Sequence, residues 1–510
     1  MRKEDYYATL ILMLGLLAAT LSGFLRQAAL ADQLGTGQGA DIYLIAYSIP
    51  EFVIVALAII LPPAFIPLFA EFRQRLGEGE AWHFALRVGG FLCIVLILGT
   101  VVAVITAPIY LKLLAPGFSS IEYGQTVRAA RIMMPAIVLM GSAILIGAAL
   151  QVYRRFESTA LTNLFYNITF VIVLIGAPFV WLVGRTAFGV ILGASAALII
   201  QLPFLWKHRR SFNISKLIRR IPPVERKTRA TSVRQFAYLS GPLAIGYAIH
   251  HIIWFVDRAM ATTLGVGSVA TLNYAYRLAL VVGQMSGLAV STAVFPRLSE
   301  QASAGDDSGL QSSLTDSLRF VWMIGLPATC ALIILRWPLV QVLYEHGAFD
   351  QESTIAVSEV LIWYAIAVLL DAMCQPLWRV IYAWRSVWTV SVVNGIQTTV
   401  RILINILLIR SFGYIGIAFS AMVGFSIQVV VLTWLAQRRL GNNFIFQWWH
   451  DARLIIIASI IASLVISLLA NQFLSTPAIV TLIICGVFGG LSYLLILGYL
   501  KNWRIIQSGI

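Results

Sequence analysis

Charge is what this chain has least of. Only 11% of its 510 residues are Asp, Glu, Lys or Arg, whereas 59% are hydrophobic and the mean hydropathy is +0.86. A soluble domain carries roughly 25% charged residues, and at ~150 residues per domain a soluble chain would show several cores joined by hydrophilic linkers. Both shortages exclude a soluble enzyme, a secreted disulfide scaffold and a disordered protein. Cysteine is scarce too. Cys93, Cys330, Cys374 and Cys485 all fall inside apolar runs without C-x-x-C or metal-ligand spacing, and read as small core residues. Neither G-x-x-x-x-G-K-[ST] nor H-E-x-x-H is present. Neither an enzyme nor a cofactor is therefore expected, and transport driven by ATP hydrolysis on this chain is excluded. The adjacent His250 and His251 diverge on a helix, and one is expected to face inward as a hydrogen-bonding residue.

Long apolar runs are what the chain has instead. They recur from end to end, each able to cross a ~30 Å hydrocarbon core. The expected fold is an all-α polytopic membrane protein with fourteen transmembrane helices, near 6–30, 40–70, 84–114, 126–152, 159–183, 186–206, 235–262, 268–295, 316–344, 354–377, 386–409, 414–437, 452–474 and 477–500. Pro50, Pro62, Pro63 and Pro67 predict a kink in the second span. Met1–Tyr7 is short and basic, and the run behind it continues to Gly23 without a small-residue cleavage site, so it reads as a first span.

Lys and Arg sort the loops. One set of ends holds Arg2, Lys3, Arg73, Arg75, Arg154, Arg155, Arg297, Arg379, Arg385, Arg438, Arg439, Arg453, Lys501 and Arg504, together with ten basic residues in segment 207–234. The opposite loops hold Arg185 and Arg410. The positive-inside rule puts both termini and segment 207–234 in the cytoplasm. That segment reads as a loop that fixes topology and lies on anionic membrane lipid, with a short interfacial helix at Leu217–Ile218, rather than as a nucleic-acid site.

The chain also repeats itself. Leu34-Gly35-Thr36-Gly37-Gln38-Gly39-Ala40-Asp41 resembles Leu264-Gly265-Val266-Gly267-Ser268-Val269-Ala270-Thr271, 230 residues on. Ile66-Pro67-Leu68-Phe69-Ala70-Glu71 resembles Phe295-Pro296-Arg297-Leu298-Ser299-Glu300 at a spacing of 229. Leu114-Ala115-Pro116-Gly117-Phe118 faces Tyr344-Glu345-His346-Gly347-Ala348 at 230, and Tyr153 faces Tyr382 at 229. Collinear islands at one offset mark a duplication. The organisation expected from it is a lobe of six spans (1–206), the basic loop (207–234), a second lobe of six spans (235–440), and two further spans (441–510). Six is even, so the repeats run parallel about an axis along the membrane normal. Two such lobes suit a monomeric transporter with a central cleft and alternating access.

Ionisable residues inside spans must face a cavity or a partner. Arg87, Lys112, Arg128, Arg319 and Arg336 lie near predicted ends, where they can snorkel. Arg26 and Arg277 lie early in the two repeats. Guanidinium groups suit phosphate because the planar fork donates bidentately and stays charged. Two readings stay open for this pair: a grip on a pyrophosphate in the cleft, or intramembrane salt bridges with Asp41, Asp257 or Asp371. Asp257 is expected to point into the cleft while Arg258 reaches headgroups. Glu51, directly after Pro50, is a proton or cation site or a partner of Arg26. Glu51, Asp257 and Arg258 are thus candidates for gating or ion coupling. Asn163, Asn167, Asn394 and Asn405 read as interhelical hydrogen-bond glue.

Gly23-Phe24-Leu25-Arg26, the turn ending in Ala40-Asp41, Ile49-Pro50, Ala64-Phe65-Ile66-Pro67, Leu114-Ala115-Pro116-Gly117-Phe118 and Arg154-Arg155-Phe156 resemble the MurJ/MviN family of lipid II flippases. So do Val256-Asp257-Arg258, Leu272-Asn273-Tyr274-Ala275-Tyr276-Arg277-Leu278, Val294-Phe295-Pro296-Arg297-Leu298-Ser299 and Gly347-Ala348-Phe349. The similarity runs over roughly the first 410 residues. It implies the fourteen-helix fold of the multidrug/oligosaccharidyl-lipid/polysaccharide exporter superfamily, with a cationic cavity and a groove for the polyprenyl tail at spans thirteen and fourteen. It implies outward flipping of undecaprenyl-pyrophosphate-linked peptidoglycan precursor (lipid II) in the bacterial cytoplasmic membrane. Arg26, Asp41 and Arg277 match the family's cavity residues, which implies substrate binding. The chain departs from the family at Thr20 and Ile54, where arginines are common, and at Ile59-Ile60, where an acidic-glycine pair is common. Flipping of another polyprenyl-linked saccharide, or drug or cation antiport, are the alternative functions, with an envelope-assembly scaffold the last.

Overall fold

The computed structural model describes residues 3–155, 157–177, 181–206, 223–384, 386–441, 443–473 and 476–508. Residues 207–222, most of the predicted basic loop, lie outside the described residues, as does the side chain of His250. The described chain is helical, with no strand among the described residues. Its helices are α1 (Lys3–Leu34), α2 (Gln38–Leu76), α3 (Glu78–Leu114), α4 (Ser120–Met133), α5 (Ala136–Val152), α6 (Glu157–Gly176), α7 (Leu182–Ile199), α8 (Leu202–Trp206) and α9 (Pro223–Ala261). They continue with α10 (Ser268–Gly283), α11 (Ala289–Ala304), α12 (Asp307–Ile334), α13 (Arg336–Tyr344), α14 (Gln351–Ala383), α15 (Val387–Leu440), α16 (Asn443–Gln472) and α17 (Ala478–Ser508).

Among the described residues, eleven helical stretches are long and apolar enough to cross a membrane. One of them, Trp388–Leu440, has 53 residues. At 1.5 Å per residue a straight helix of that length would run about 80 Å, far beyond one bilayer. It breaks at Gly413, whose φ of 54° and ψ of −135° lie outside the helical region, between the spans expected at 386–409 and 414–437. Other expected limits shift for local reasons. The span expected at 316–344 is α12 followed by α13, interrupted at Leu335 (φ −93°, ψ 14°). The span expected at 126–152 is α4 followed by α5, with Pro135 at the junction. The span expected at 235–262 starts earlier, because α9 begins at Pro223. Despite four internal prolines, α2 is one helix from end to end.

Lipid-facing surface explains the composition. On α3, Ile94, Leu98, Val102, Ile105, Ile109 and Leu113 recur every three or four residues and stay 59–73% exposed. Such a stripe is stable only against hydrocarbon. The polar termini are closed locally. Ser119 and Glu122 form a reciprocal capping box on α4, and the Asp306 and Asp350 side chains cap α12 and α14.

The chain forms two compact units, Met1–Gly267 and Ser268–Ile510. In the first, α1 pairs with α6, α6 with α7, and α2 packs on α3, α4, α5 and α9. Aromatic rings fill its centre: Phe65 lies stacked 5.5 Å from Phe84, Phe72 stacked 4.7 Å from Phe84, and Trp82 edge-on 5.4 Å from Phe69. In the second unit α14 is central, touching α10, α11, α12, α13 and α15. The pair α16 and α17 packs against α12 and α13, pinned where the Tyr493 hydroxyl donates to the Met323 carbonyl at 2.7 Å. The duplication reappears in the element limits. Segments 38–76, 78–114 and 120–152 correspond to 268–304, 307–344 and 351–383, each about 230 residues on.

Candidate functional site

The first unit gathers three of the repeated sequence islands at one place. Asp41, in the first turn of α2 and 2% exposed, accepts a hydrogen bond from the Gly267 N–H at 2.6 Å. Gly267 has φ +87°, and a Cβ there would run into the Thr36 carbonyl oxygen, so a side chain is excluded twice over. The Gly117 N–H reaches the Thr262 hydroxyl at 3.3 Å. The turns 34–37, 115–118 and 262–267 therefore close on one another, with the Asp41 carboxylate as their tie. This accounts for the small residues in those motifs, which sequence pattern alone could identify as turns but not bring together.

Arg26, on α1, stands in an aromatic box. Its Nη2 donates to the Tyr43 hydroxyl at 2.6 Å, and its guanidinium carbon lies 4.2, 5.0 and 5.3 Å from the ring centres of Phe170, Tyr166 and Tyr47. Two i,i+4 pairs build the walls: Tyr43 and Tyr47 on α2, Tyr166 and Phe170 on α6. The Tyr47 and Tyr166 hydroxyls are 2.9 Å apart and bond to each other. Behind the box, Asn167 donates to Ser22 at 3.1 Å, bearing out the reading of Asn167 as glue between helices. No carboxylate pairs with Arg26 among the described residues, so the expected alternatives of a bridge to Asp41, Asp257 or Asp371, or to Glu51, do not apply to it. Desolvated cation–π contacts are worth up to about 2 kcal/mol each, enough to hold the guanidinium without neutralising it.

Arg258 corrects an expectation. Instead of reaching headgroups it is 8% exposed and turned into α2. Its Nη1 donates to the Leu44 carbonyl at 2.7 Å and the Ser48 hydroxyl at 2.6 Å, and its Nη2 lies 3.3 Å from Glu51 Oε2. The Trp254 ring covers the guanidinium at 3.7 Å. Burial decides the matter: three acceptors spaced i, i+4, i+7 along α2 satisfy a cation that α9 would otherwise leave in hydrocarbon. Glu51 is thus paired with Arg258 and not with Arg26. Asp257, half-buried, stands one residue before Arg258 in α9.

In the second unit, Arg277 lies half-buried on α10 and acts electrostatically on the Tyr344 hydroxyl. Tyr344 is packed at 5.0 Å from Tyr274 and 5.8 Å from Phe349. Asp371 bonds to Gln375 and feels the charge of Arg401, and Asn394 accepts from Gln428 at 2.9 Å. The sequence reading did not single out the tyrosine box, Ser48 or Trp254. The i,i+4 tyrosine and Leu44–Ser48–Glu51 spacings were the available signals.

A bundle of long apolar helices, with buried arginines held by rings and backbone oxygens, defines a multi-pass membrane transporter. Two solved structures share the fold. One, a lipid II flippase MurJ in an inward closed conformation, aligns with a TM-score of 0.78 at 20% identity, covering 97% of this chain and 100% of that one. The other, an inward-facing multidrug resistance MATE family transporter of the MOP superfamily, aligns at 0.68 and 14% identity, over 83% of this chain and 94% of that one. The family model described as "Lipid II flippase MurJ" matches residues 30–489, and the chain belongs to that family, one of transporters rather than enzymes. Among curated relatives, the probable lipid II flippase MurJ of Rhizobium meliloti (strain 1021) is 28% identical over 457 residues, 88% of this chain and 83% of that protein.

Proposed function

We propose that this chain carries lipid II from the cytoplasmic to the outer leaflet of the bacterial inner membrane by alternating access, supplying peptidoglycan synthesis. Membership of the lipid II flippase family supports the substrate. The observation that carries the mechanism is Arg26: a guanidinium inside a membrane unit, boxed by three tyrosines and a phenylalanine, with no carboxylate paired to it among the described residues. An unneutralised fork in a low-dielectric setting is costly unless an anion visits it, and diphosphate is the anion of this substrate class.

Arg26 and Arg277 are the phosphate-handling cations of the two repeats in this reading. Asp41 closes the turns on the outer side. Glu51, Asp257 and Arg258 serve gating or ion coupling. The lobes are residues 1–206 and 235–440, supported by the 230-residue offset of their elements. Residues 441–510 serve the polyprenyl tail, supported by the pairing of α16 with α17. Both termini and segment 207–234 face the cytoplasm, and the protein works as a monomer among membrane lipids. Drug or cation antiport has support from likeness of fold alone.

The test is complementation. In cells depleted of their own flippase, expression of this chain is expected to restore lipid II exposure at the outer leaflet. Normal membrane abundance without restored exposure refutes the substrate.

A further inference from the structure

We infer that Glu51 is an internal counter-ion that competes with the substrate's diphosphate for Arg258, and so sets the affinity of the anion site and promotes release. The inference rests on the lipid II reading above and concerns how its diphosphate is held.

The geometry around Arg258 separates anchors from a replaceable partner. The Nη1 contacts at 2.6 and 2.7 Å, to a hydroxyl and a carbonyl of α2, are short, and the guanidinium carbon lies over the Trp254 ring, 3.7 Å from its centre. These neutral groups fix the fork without any carboxylate. The Glu51 contact is the long one, at 3.3 Å, whereas charge-assisted N–H···O bonds close to about 2.7–2.9 Å. Glu51 is also the more accessible of the two, its side chain 13% exposed against 9% for Arg258. Its removal leaves Arg258 anchored. Its displacement by a phosphate oxygen exchanges one anion for another.

Glu51 also acts beyond Arg258. Its charge reaches the hydroxyls of Tyr43 and Tyr47, two walls of the Arg26 box. The helix explains why: Tyr43, Tyr47 and Glu51 follow one another at i, i+4 and i+8 on α2, while Leu44, Ser48 and Glu51 run beside them at i, i+4 and i+7. One carboxylate therefore pairs with one guanidinium and bears on two of the hydroxyls around a second. A transporter gains from such a charge because bare cations in low dielectric would trap a diphosphate. A resident carboxylate stabilises the empty site and lowers affinity for the anion, which is a differential effect on the two states.

The experiment uses the full chain in lipid nanodiscs, with inorganic pyrophosphate and lipid II as separate probes. Glu51→Gln keeps the shape and a hydrogen-bonding oxygen and removes the charge. Pyrophosphate is expected to bind this variant about 10-fold more tightly than the parent, and lipid II to turn over more slowly once bound. The double variant Glu51→Gln with Arg258→Gln is expected to lose the gain. If Glu51→Gln does not reach the membrane, Glu51→Asp, which withdraws the carboxylate, is expected to tighten pyrophosphate binding in the same direction by a smaller factor. Unchanged or weaker pyrophosphate binding by these variants, or no pyrophosphate binding by parent and variant alike, overturns the inference even where lipid II is flipped normally. Tighter pyrophosphate binding that disappears with Arg258 supports it, even if lipid II proves not to be the cargo, in which case the substrate reading alone fails.

Discussion

Replacing Arg26 by Met should separate stability from transport. The substitution removes the charge, keeps an unbranched apolar stem, and leaves the rings of Tyr47, Tyr166 and Phe170 around it. Removing an unpaired buried charge recovers its desolvation penalty, several kcal/mol per ion, but forfeits three ring contacts worth up to about 2 kcal/mol each. Against that, the Tyr43 hydroxyl loses its 2.6 Å partner, and an unsatisfied buried polar group costs about 1–3 kcal/mol. The recovered desolvation and the summed losses are of similar size, so the thermal midpoint of the purified protein should move by a few degrees at most. Transport should not be spared. A hydrogen bond from a charged donor to phosphate contributes on the order of 1.5–3 kcal/mol, which is about 10- to 150-fold in binding. The assay pairs a thermal melt with lipid II exposure in flippase-depleted cells, at matched membrane abundance. Arg26→Lys keeps charge without the fork and should be partly active. Arg26→Met protein that melts normally and supports exposure at the parent rate would make the aromatic box a packing feature and refute the reasoning. A collapse of stability would show that the box needs its cation, and would refute the cancellation.

Three other outcomes are expected. Arg277→Ala should be nearly inactive and Arg277→Lys partly active in the same exposure assay, with both present in normal amount; full activity of the alanine variant would remove Arg277 from the phosphate-handling set. A cysteine introduced by Ser215→Cys should resist an impermeant thiol reagent in intact cells if, as proposed, the ten basic residues of segment 207–234 keep it cytoplasmic; strong labelling would reverse the orientation. At the start of α14, the N–H and hydroxyl of Ser353 hold the Asp350 carboxyl below the usual carboxylate range. A depressed folded-state value means that this cap stabilises above the ordinary Asp range and is lost as pH falls through the folded value. Asp350→Ala should therefore cost about 1 kcal/mol near neutrality and lose that difference from the parent in acid, as read by thermal melts across pH.

Much of the architecture is legible in the sequence because membrane helices announce themselves by length. The expected segments fall on helices, and the breaks at Gly413 and Pro135 come at residues whose backbone preferences allow them. The 230-residue offset is legible too, since turns such as Leu34–Gly37 and Leu264–Gly267 need glycine for reasons of backbone shape. What those turns do to each other is not legible: the bond from Gly267 to Asp41 spans 226 residues. Arg258 shows a second limit. Adjacent Asp257 and Arg258 must take different faces of a helix, but nothing local says which face meets α2, and the acceptors that draw Arg258 inward lie more than 200 residues earlier. The box around Arg26 fails to show for the same reason. Tyr43, Tyr47, Tyr166 and Phe170 read singly as core aromatics, and only the meeting of α1, α2 and α6 gives them a cation to hold.

The anchorage of Arg258 bears on how the chain is inserted during synthesis. The span Val233–Leu264 is the least apolar of the eleven candidates, and it carries Arg258 in the last turn of α9, where a charge adds to the cost of partitioning into lipid. Alone at the translocon, that segment is a marginal candidate for the bilayer. Leu44, Ser48 and Glu51, made some 200 residues earlier and already in the membrane, offer the guanidinium a place to go. Helix α2 is then expected to act as a receptor for α9 during synthesis, which would make translation order part of the folding pathway. Damage to α2 at Ser48 or Glu51 would then surface as a topological fault downstream, with α9 left at the bilayer surface and every later crossing inverted.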